Sequence, residues 1–175
     1  MFLKRIEFMN IKMKIGIIGP AKLSSLTDIN KNSLIILNEI SKNVAKSGNE
    51  IVITPDKGSV SEFFAKGYLN QGGKKVYSVI PLDDKEFGYG WINTEIGENI
   101  NCSTWRNQPE KLNEETDILL CLGYAEGVLI EIAYSKWFKP KAVYVIKEFI
   151  SQELPRESIK KLHLEYISYK DFKLK

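Results

Sequence analysis

The residues best suited to chemistry follow a short apolar run in the second half of the chain. Residues 118–122 are all apolar, residues 123–127 contain two glycines, and apolar residues then recur at helical spacing up to Trp137. This order predicts a buried parallel strand, a turn and a helix. The first N–H groups of such a helix point toward the strand's carboxyl end, where open α/β sheets bind ligands and where anions are favoured. Glu131 would bring a carboxylate to the same edge.

A single unit of this kind is equally compatible with a connection that binds nothing, because glycine is common at turns. Whether this unit belongs to a binding site therefore depends on the elements around it. The apolar patterns predict strands at 14–20, 50–54, 76–81, 118–122, 142–146 and 164–168, and helices at 33–47, from the 55–62 turn to about 71, at 109–115, at 128–137 and at about 155–162. Residues 21–32 and 82–108 are predicted to be loops.

The alternation of strands and helices predicts the fold class. It is typical of an α/β protein with three layers, α/β/α, around a Rossmann-like, doubly wound and mainly parallel sheet. We expect a single domain over residues 14–175. Residues 1–13 form a lead segment, which we expect to be disordered if Met13 is the natural start.

Three predicted loops leave the carboxyl ends of strands and carry glycine or polar residues. They are Gly19-Pro20-Ala21, residues 55–62 and residues 123–131. In a doubly wound sheet such loops can converge at the point where the strand order reverses. The candidate ligand-binding residues are accordingly Gly19, Pro20, Asp56, Gly58, Ser59, Gly123, Tyr124, Glu126 and Gly127.

Composition excludes several classes of protein. A net charge of +3, spread along the chain, is too small to imply nucleic acid. The sequence contains no apolar stretch of about 18 residues, so we expect no membrane span. Cys102, Cys121 and the single His163 give neither a disulfide framework nor a metal-binding spacing. We therefore expect a cytoplasmic protein with no metal and no cofactor, in which His163 has a surface or packing role.

The spacing of these pieces resembles the LOG-like Rossmann proteins, a family once labelled possible lysine decarboxylases and related to nucleotide phosphoribohydrolases. Its small prokaryotic branch of unassigned function is the most similar. The resemblance covers Lys14 to about Ile146 and rests on Ile15-Gly-Ile-Ile-Gly19, Ala65-Lys-Gly-Tyr68, Gly72-Gly73, Arg106-Asn107 before Asp117, and Gly127-x-x-x-Glu131.

The family's signature after the central strand is Pro-Gly-Gly-x-Gly-Thr-x-x-Glu. This chain keeps Gly127 and Glu131 of that signature, but it has Tyr124-Ala125 for the glycine pair and Val128 for the threonine. Paired glycines let backbone N–H groups approach a phosphate closely. The resemblance therefore supports the fold more strongly than the activity.

For the family's enzymes, the resemblance implies hydrolysis of a nucleoside 5′-monophosphate to free base and ribose 5-phosphate. Glu131 would stabilise an oxocarbenium-like centre or position water, and Arg106, next to Asn107, would hold the phosphate or position the sugar. The alternative is a non-catalytic ligand-binding domain that has lost the glycine-rich phosphate loops. Under both hypotheses we expect a nucleotide or phosphorylated sugar as ligand and a homodimer or higher homo-oligomer. Asp56 and Glu126 would better suit hydroxyl groups, a neutral ligand or a cation, because acids repel phosphate.

The predicted loop at 82–108 contains the aromatic residues Phe87, Tyr89, Trp91 and Trp105. A loop of this length in a compact domain is usually functional. Its rings could stack on a base, pack within a lid or form a dimer surface, and the sequence leaves these possibilities open. A dinucleotide dehydrogenase is disfavoured, because Gly16-x-x-Gly19-Pro20 lacks the Gly-x-Gly-x-x-Gly spacing and proline removes an N–H group.

Overall fold

The structure is a computed structural model that describes residues 12–138 and 141–174. Its strands are β1 (Lys14–Ile18), β2 (Glu50–Ile53), β3 (Val76–Ile80), β4 (Glu98–Asn101), β5 (Ile118–Cys121), β6 (Ala142–Ile146) and β7 (His163–Ile167). Its α-helices are α1 (Ser24–Ile29), α2 (Ser33–Ser47), α3 (Val60–Asn70), α4 (Gln108–Glu114), α5 (Glu126–Tyr134) and α6 (Arg156–Ile159).

The strands form one parallel sheet in the order β4-β3-β2-β1-β5-β6-β7. Strand β1 lies in the middle, where Gly16 pairs with Val52 of β2 on one side and with Leu119 of β5 on the other. The chain builds the sheet outward from β1 to β4, crosses back, and continues outward from β5 to β7. The predicted α/β, Rossmann-like fold is thus confirmed, with its topological switch point between β1 and β5.

The apolar core lies on both faces of the sheet. Successive strand residues point to opposite faces, so Leu120 of β5 packs in one cluster and Leu119 in the other. Helices α2 and α3 cover the first face, with Leu37 and Phe64 fully buried. Helices α4 and α5 contribute to the second cluster, for example through Ile132. This double coverage explains why the central strands are continuous apolar runs.

Two segments predicted to be loops contain regular structure. Residues 21–32 include α1, of which Leu26 alone is buried, so no apolar period marked it as a helix. Residues 82–108 include β4, whose sequence Glu-Asn-Ile-Asn has neither an apolar run nor an apolar alternation. Strand β4 lies at the edge of the sheet and is held by backbone pairing with β3. Pairing of this kind leaves no signal in the side-chain pattern.

The predicted lead segment lies mostly outside the described residues. Its last member, Met13, belongs to the fold: the side chain is buried, the N–H donates to Asn49 Oδ1 at 2.9 Å, and the carbonyl accepts from the N–H of Glu50 at 2.9 Å. Among the residues described, no helix combines the length and the apolar character needed to cross a membrane.

Candidate functional site

An open pocket of about 310 Å³ lies at the carboxyl ends of β1, β2 and β5. All three loops singled out in the sequence contribute to it. The loop after β1 supplies Gly19, the loop after β2 supplies Asp56 and Ser59, and the start of α5 supplies Glu126 and Gly127. The other lining residues are Ala21, Thr54, Ser61, Trp105, Gln108, Pro109, Ala125, Val128, Ile130 and Glu131. The pocket therefore sits where a doubly wound sheet is expected to bind a ligand.

Glu131 lies on α5 with its side chain buried in the wall of the pocket. Gln108, the first residue of α4, donates from Nε2 to Glu131 Oε1 at 2.9 Å and to Thr54 Oγ1 at 2.8 Å. Burial raises the pKa of Glu131 from its ordinary value of 4.5 to about 7; the hydrogen bond from Gln108 opposes this shift, and the charge of Asp56 adds to it. Glu131 is therefore held in one orientation and titrates close to neutral pH.

Asp56 is the second acid of the pocket with a displaced pKa. Partial burial raises the pKa of Asp56 from 3.8 to about 6. Its backbone forms an isolated bridge with Ile92, which fixes its position between β2 and the segment that joins β3 to β4. No group of the described chain donates a hydrogen bond to its carboxylate, so both oxygens are free to accept from a ligand.

The loop after β2 is shaped by a helix cap. Ser59 Oγ accepts from the N–H of Glu62 at 3.1 Å, and Glu62 Oε2 accepts from the N–H of Gly58 at 2.8 Å, a reciprocal arrangement of the capping-box type. Gly58 has φ +81°, which favours glycine. Ser61 donates to the carbonyl of Thr54 at 3.0 Å. The start of α3 therefore positions the hydroxyl groups of Ser59 and Ser61, whereas that of Thr54 donates to the carbonyl of Val79 at 3.1 Å.

Helix α5 begins at the pocket without a side-chain cap. Its N-cap residue is Ala125 in an extended conformation, and Gly127 and Val128 of the first turn line the pocket. The first N–H groups of a helix have no partner within the helix, and they favour an anion. None of the described lining residues is lysine or arginine. An anionic group in this pocket would consequently depend on the backbone of α5.

Arg106 lies outside the pocket. Its guanidinium group is exposed and donates two hydrogen bonds to the Glu86 carboxylate, at 2.8 and 3.2 Å. Asn107 is also absent from the lining residues; its Oδ1 accepts from Thr104 Oγ1 at 2.8 Å. Only their neighbours Trp105 and Gln108 reach the pocket. The role that the resemblance implies for Arg106 stays a prediction.

Three other candidate residues support the loops of the site without lining the pocket. Pro20 accepts from the N–H of Val60 through its carbonyl at 3.1 Å and anchors α3. Gly123 has φ +113°, and a Cβ there would lie 2.7 Å from Leu26 Cδ2. Tyr124 packs against the second core cluster, and its hydroxyl donates to that of Tyr166 at 3.3 Å. None of the three is a lining residue, and Gly58 is likewise a supporting residue.

Sequence reasoning missed Gln108, which connects the walls of the pocket. Its position in the sequence was the available signal. Gln108 directly follows Arg106-Asn107 and begins a helix at the end of a long loop, and loops of that length are usually functional. Thr54 was passed over as the last residue of a predicted strand, although a polar residue at a strand's carboxyl end is well placed for a ligand. The apolar members of the wall, such as Ile130, carried no signal of their own.

The fold and the site define a class, a Rossmann-like α/β protein with a small-molecule-sized pocket at its switch point. Solved structures with a similar fold include the Moco carrier protein of Chlamydomonas reinhardtii, at 21% identity and a TM-score of 0.71 over 92% of this chain and 93% of that one. The molybdenum cofactor binding protein of the phototrophic bacterium Rippkaea orientalis is similar at 17% identity and a TM-score of 0.68, over 92% and 93% of the two chains.

A structural genomics target, TM1055, is similar at 18% identity and a TM-score of 0.66, over 92% of this chain and 95% of its own. At these identities the likeness shows the fold. Scans against family models and against curated proteins found no match. Membership of the LOG-like family therefore stays a prediction.

Proposed function

We propose that this protein binds a small phosphorylated organic ligand, a nucleotide or a sugar phosphate, and that it acts as a binding protein without hydrolysing that ligand. The observation that carries the proposal is the composition of the pocket. It joins an uncapped helix N-terminus, which favours an anion, with the hydroxyl groups of Thr54, Ser59 and Ser61. The ligand's phosphate would lie on the first turn of α5, and its hydroxyl groups would face the serine and threonine side chains.

The absence of hydrolysis is inferred from Arg106 and from related folds. The guanidinium group that would hold the sugar phosphate is paired with Glu86 outside the pocket. Two proteins of similar fold are described as a carrier of Moco and a molybdenum cofactor binding protein. This fold is therefore used elsewhere for binding a small molecule, which supports a binding role here by analogy.

The test combines thermal unfolding with product analysis. GMP, AMP, ribose 5-phosphate and inorganic phosphate are added in turn, and free base is measured by chromatography after long incubation. A ligand at 100 times its Kd stabilises the folded state by about 2.7 kcal/mol, which raises Tm by roughly 5–10 °C for a chain of this size. We expect such a rise with at least one organic phosphate and no free base.

The matched variants are Gly127→Leu and Asn43→Leu. Gly127 has open space at its Cβ position and lines the pocket, so leucine there would fill the phosphate position. Asn43 is exposed on α2, away from the lining residues. Gly127→Leu should abolish the rise in Tm and Asn43→Leu should keep it. No rise with any of the four compounds, or an equal rise in both variants, would refute the proposed binding site.

A second candidate function, hydrolysis of the N-glycosidic bond, is favoured by the pair of pocket acids. Asp56 with a pKa of about 6 and Glu131 with a pKa of about 7 could exist with one carboxyl protonated and the other ionised near neutral pH. Glycoside hydrolysis commonly uses such a pair. Release of base by the wild type, lost in Glu131→Gln and kept in Glu110→Gln, would establish hydrolysis and overturn the non-catalytic proposal. Glu110 is exposed on α4, outside the pocket.

A further inference from the structure

Trp105 provides the pocket with an aromatic surface that is held rigidly. Its ring stacks on that of Trp91, with centroids 5.3 Å apart and planes inclined by 9°. Its indole N–H donates to the carbonyl of Gly88 at 2.7 Å, and its backbone N–H donates to Asp84 Oδ2 at 2.9 Å. One face and the polar edge are thus occupied within the protein. What Trp105 can offer to the pocket is apolar π surface.

The tryptophan pair is also tied to the loop that carries Asp56. The carbonyl of Trp91 accepts from the N–H of Lys57 at 2.8 Å, and the N–H of Asn93 donates to the carbonyl of Pro55 at 2.9 Å. Asp56 itself bridges to Ile92. The aromatic wall and the carboxylate therefore belong to one hydrogen-bonded unit, and their relative positions are set before any ligand arrives.

We propose that the pocket takes a planar nitrogen heterocycle that stacks on Trp105 and presents neighbouring N–H donors to the free carboxylate of Asp56. This inference rests on the proposed function and names the ring that accompanies the phosphate. A ring N–H next to an exocyclic amino group, as in guanine, matches the two oxygens of a carboxylate with two parallel hydrogen bonds. Aromatic stacking on Trp105 adds affinity for any base. The two oxygens of Asp56 add a preference for bases that carry a ring N–H beside an amino group.

The neighbouring residues agree with a neutral or donor-rich ring. Glu126 and Glu131 add acceptor oxygens, and no lysine or arginine lines the described pocket. Gln108 is already engaged as a donor to Glu131 and Thr54. A ring edge composed of acceptors would find few side-chain donors in this pocket, whereas an edge composed of donors finds several acceptors.

The first test measures Kd by isothermal titration calorimetry at pH 7.5 for GMP and ribose 5-phosphate. Trp105→Leu should raise the Kd of GMP about tenfold or more and change the Kd of ribose 5-phosphate by less than about twofold, because only GMP has a base that loses its stacking partner. Trp105→Phe should keep most of the affinity for GMP. Trp137→Leu, which changes an exposed tryptophan that does not line the pocket, should match the wild type. Thermal unfolding verifies that each variant is folded.

The second test concerns the donor edge. Guanosine should bind the wild type about tenfold more tightly than inosine, which lacks the exocyclic amino group, since a site built for a hydrogen-bonding group rejects the analogue without it. Asp56→Asn should remove most of this preference. Equal binding of guanosine and inosine would overturn the assignment to Asp56.

The outcomes separate this inference from the proposed function. If ribose 5-phosphate binds as tightly as GMP, or if Trp105→Leu weakens both equally, stacking is refuted while the phosphate site stands. If neither compound binds the wild type, the stacking inference and the proposed function both fail.

Discussion

The isosteric change Glu131→Gln should raise the stability of the protein at alkaline pH and leave it nearly unchanged at acid pH. Glu131 is buried, and its burial raises the pKa from 4.5 to about 7. The amide of glutamine has the same shape and can still accept the hydrogen bond that Gln108 gives to Oε1. The substitution therefore removes the cost of a buried charge without opening a cavity.

The size of the effect follows from the shift in pKa. Between pH 4.5 and about 7 the folded state binds more protons at Glu131 than the unfolded state. Wild-type stability from this group is thus fully present below pH 4.5 and is lost as pH rises through about 7. The rise in the pKa of Glu131 from 4.5 to about 7, at about 1.36 kcal/mol for each pH unit between them, gives a loss of about 3 kcal/mol at pH 8 and of less than about 1 kcal/mol at pH 5.

Urea unfolding at pH 5 and pH 8 measures both values in the wild type, Glu131→Gln and Glu110→Gln. We expect Glu131→Gln to be more stable than the wild type by up to about 3 kcal/mol at pH 8 and to differ little at pH 5. Glu110→Gln should follow the wild type, because Glu110 is exposed. Identical pH dependence in wild type and Glu131→Gln, or a loss of stability in the variant at pH 8, would refute the reasoning.

Three further predictions follow from the same structure. Gly123→Ala should lower the stability by about 2 kcal/mol or more in thermal unfolding, because alanine is strained at φ +113° and its Cβ would crowd Leu26; an unchanged Tm would contradict the packing of this turn. Gly127→Ala should instead stabilise α5 by about 0.5–1 kcal/mol, since its Cβ position is open, while weakening GMP at least severalfold in calorimetry. Light scattering at micromolar concentration should show a homodimer that Leu129→Glu dissociates, because α5 and the turn after it expose Leu129 (40%), Ile130 (49%) and Trp137 (73%); a monomeric wild type would count against it.

The fold could be predicted from the sequence wherever burial left a pattern. Strands covered on both faces, such as residues 118–121, appear as apolar runs, and α2 shows its buried stripe over the predicted range 33–47. Strand β4 and helix α1 could not be predicted in this way, because each is stabilised mainly by backbone pairing or by one buried side chain. Strand β4 exposes most of its residues, so its composition alone does not distinguish it from a loop.

The candidate site also has a part that the sequence could predict and a part that it could not. Residues at strand ends, such as Asp56 and Gly127, could be predicted because topology alone brings the carboxyl ends of β1, β2 and β5 together. Side-chain direction is decided by partners far away in sequence. Arg106 turns outward to Glu86, 20 positions away, whereas Gln108, two residues further on, turns inward to Glu131, 23 positions away.

This difference limits what a resemblance to a family motif can say about the wall of the pocket. A motif transfers the backbone path, and the backbone path does bring the segment around Arg106 to the pocket, through Trp105 and Gln108. It does not transfer the partners that orient each side chain. The same segment brings Trp105 and the amide of Gln108 to the pocket while the guanidinium group of Arg106 pairs with Glu86. Side-chain partners of this kind decide what a pocket can hold while the fold stays the same.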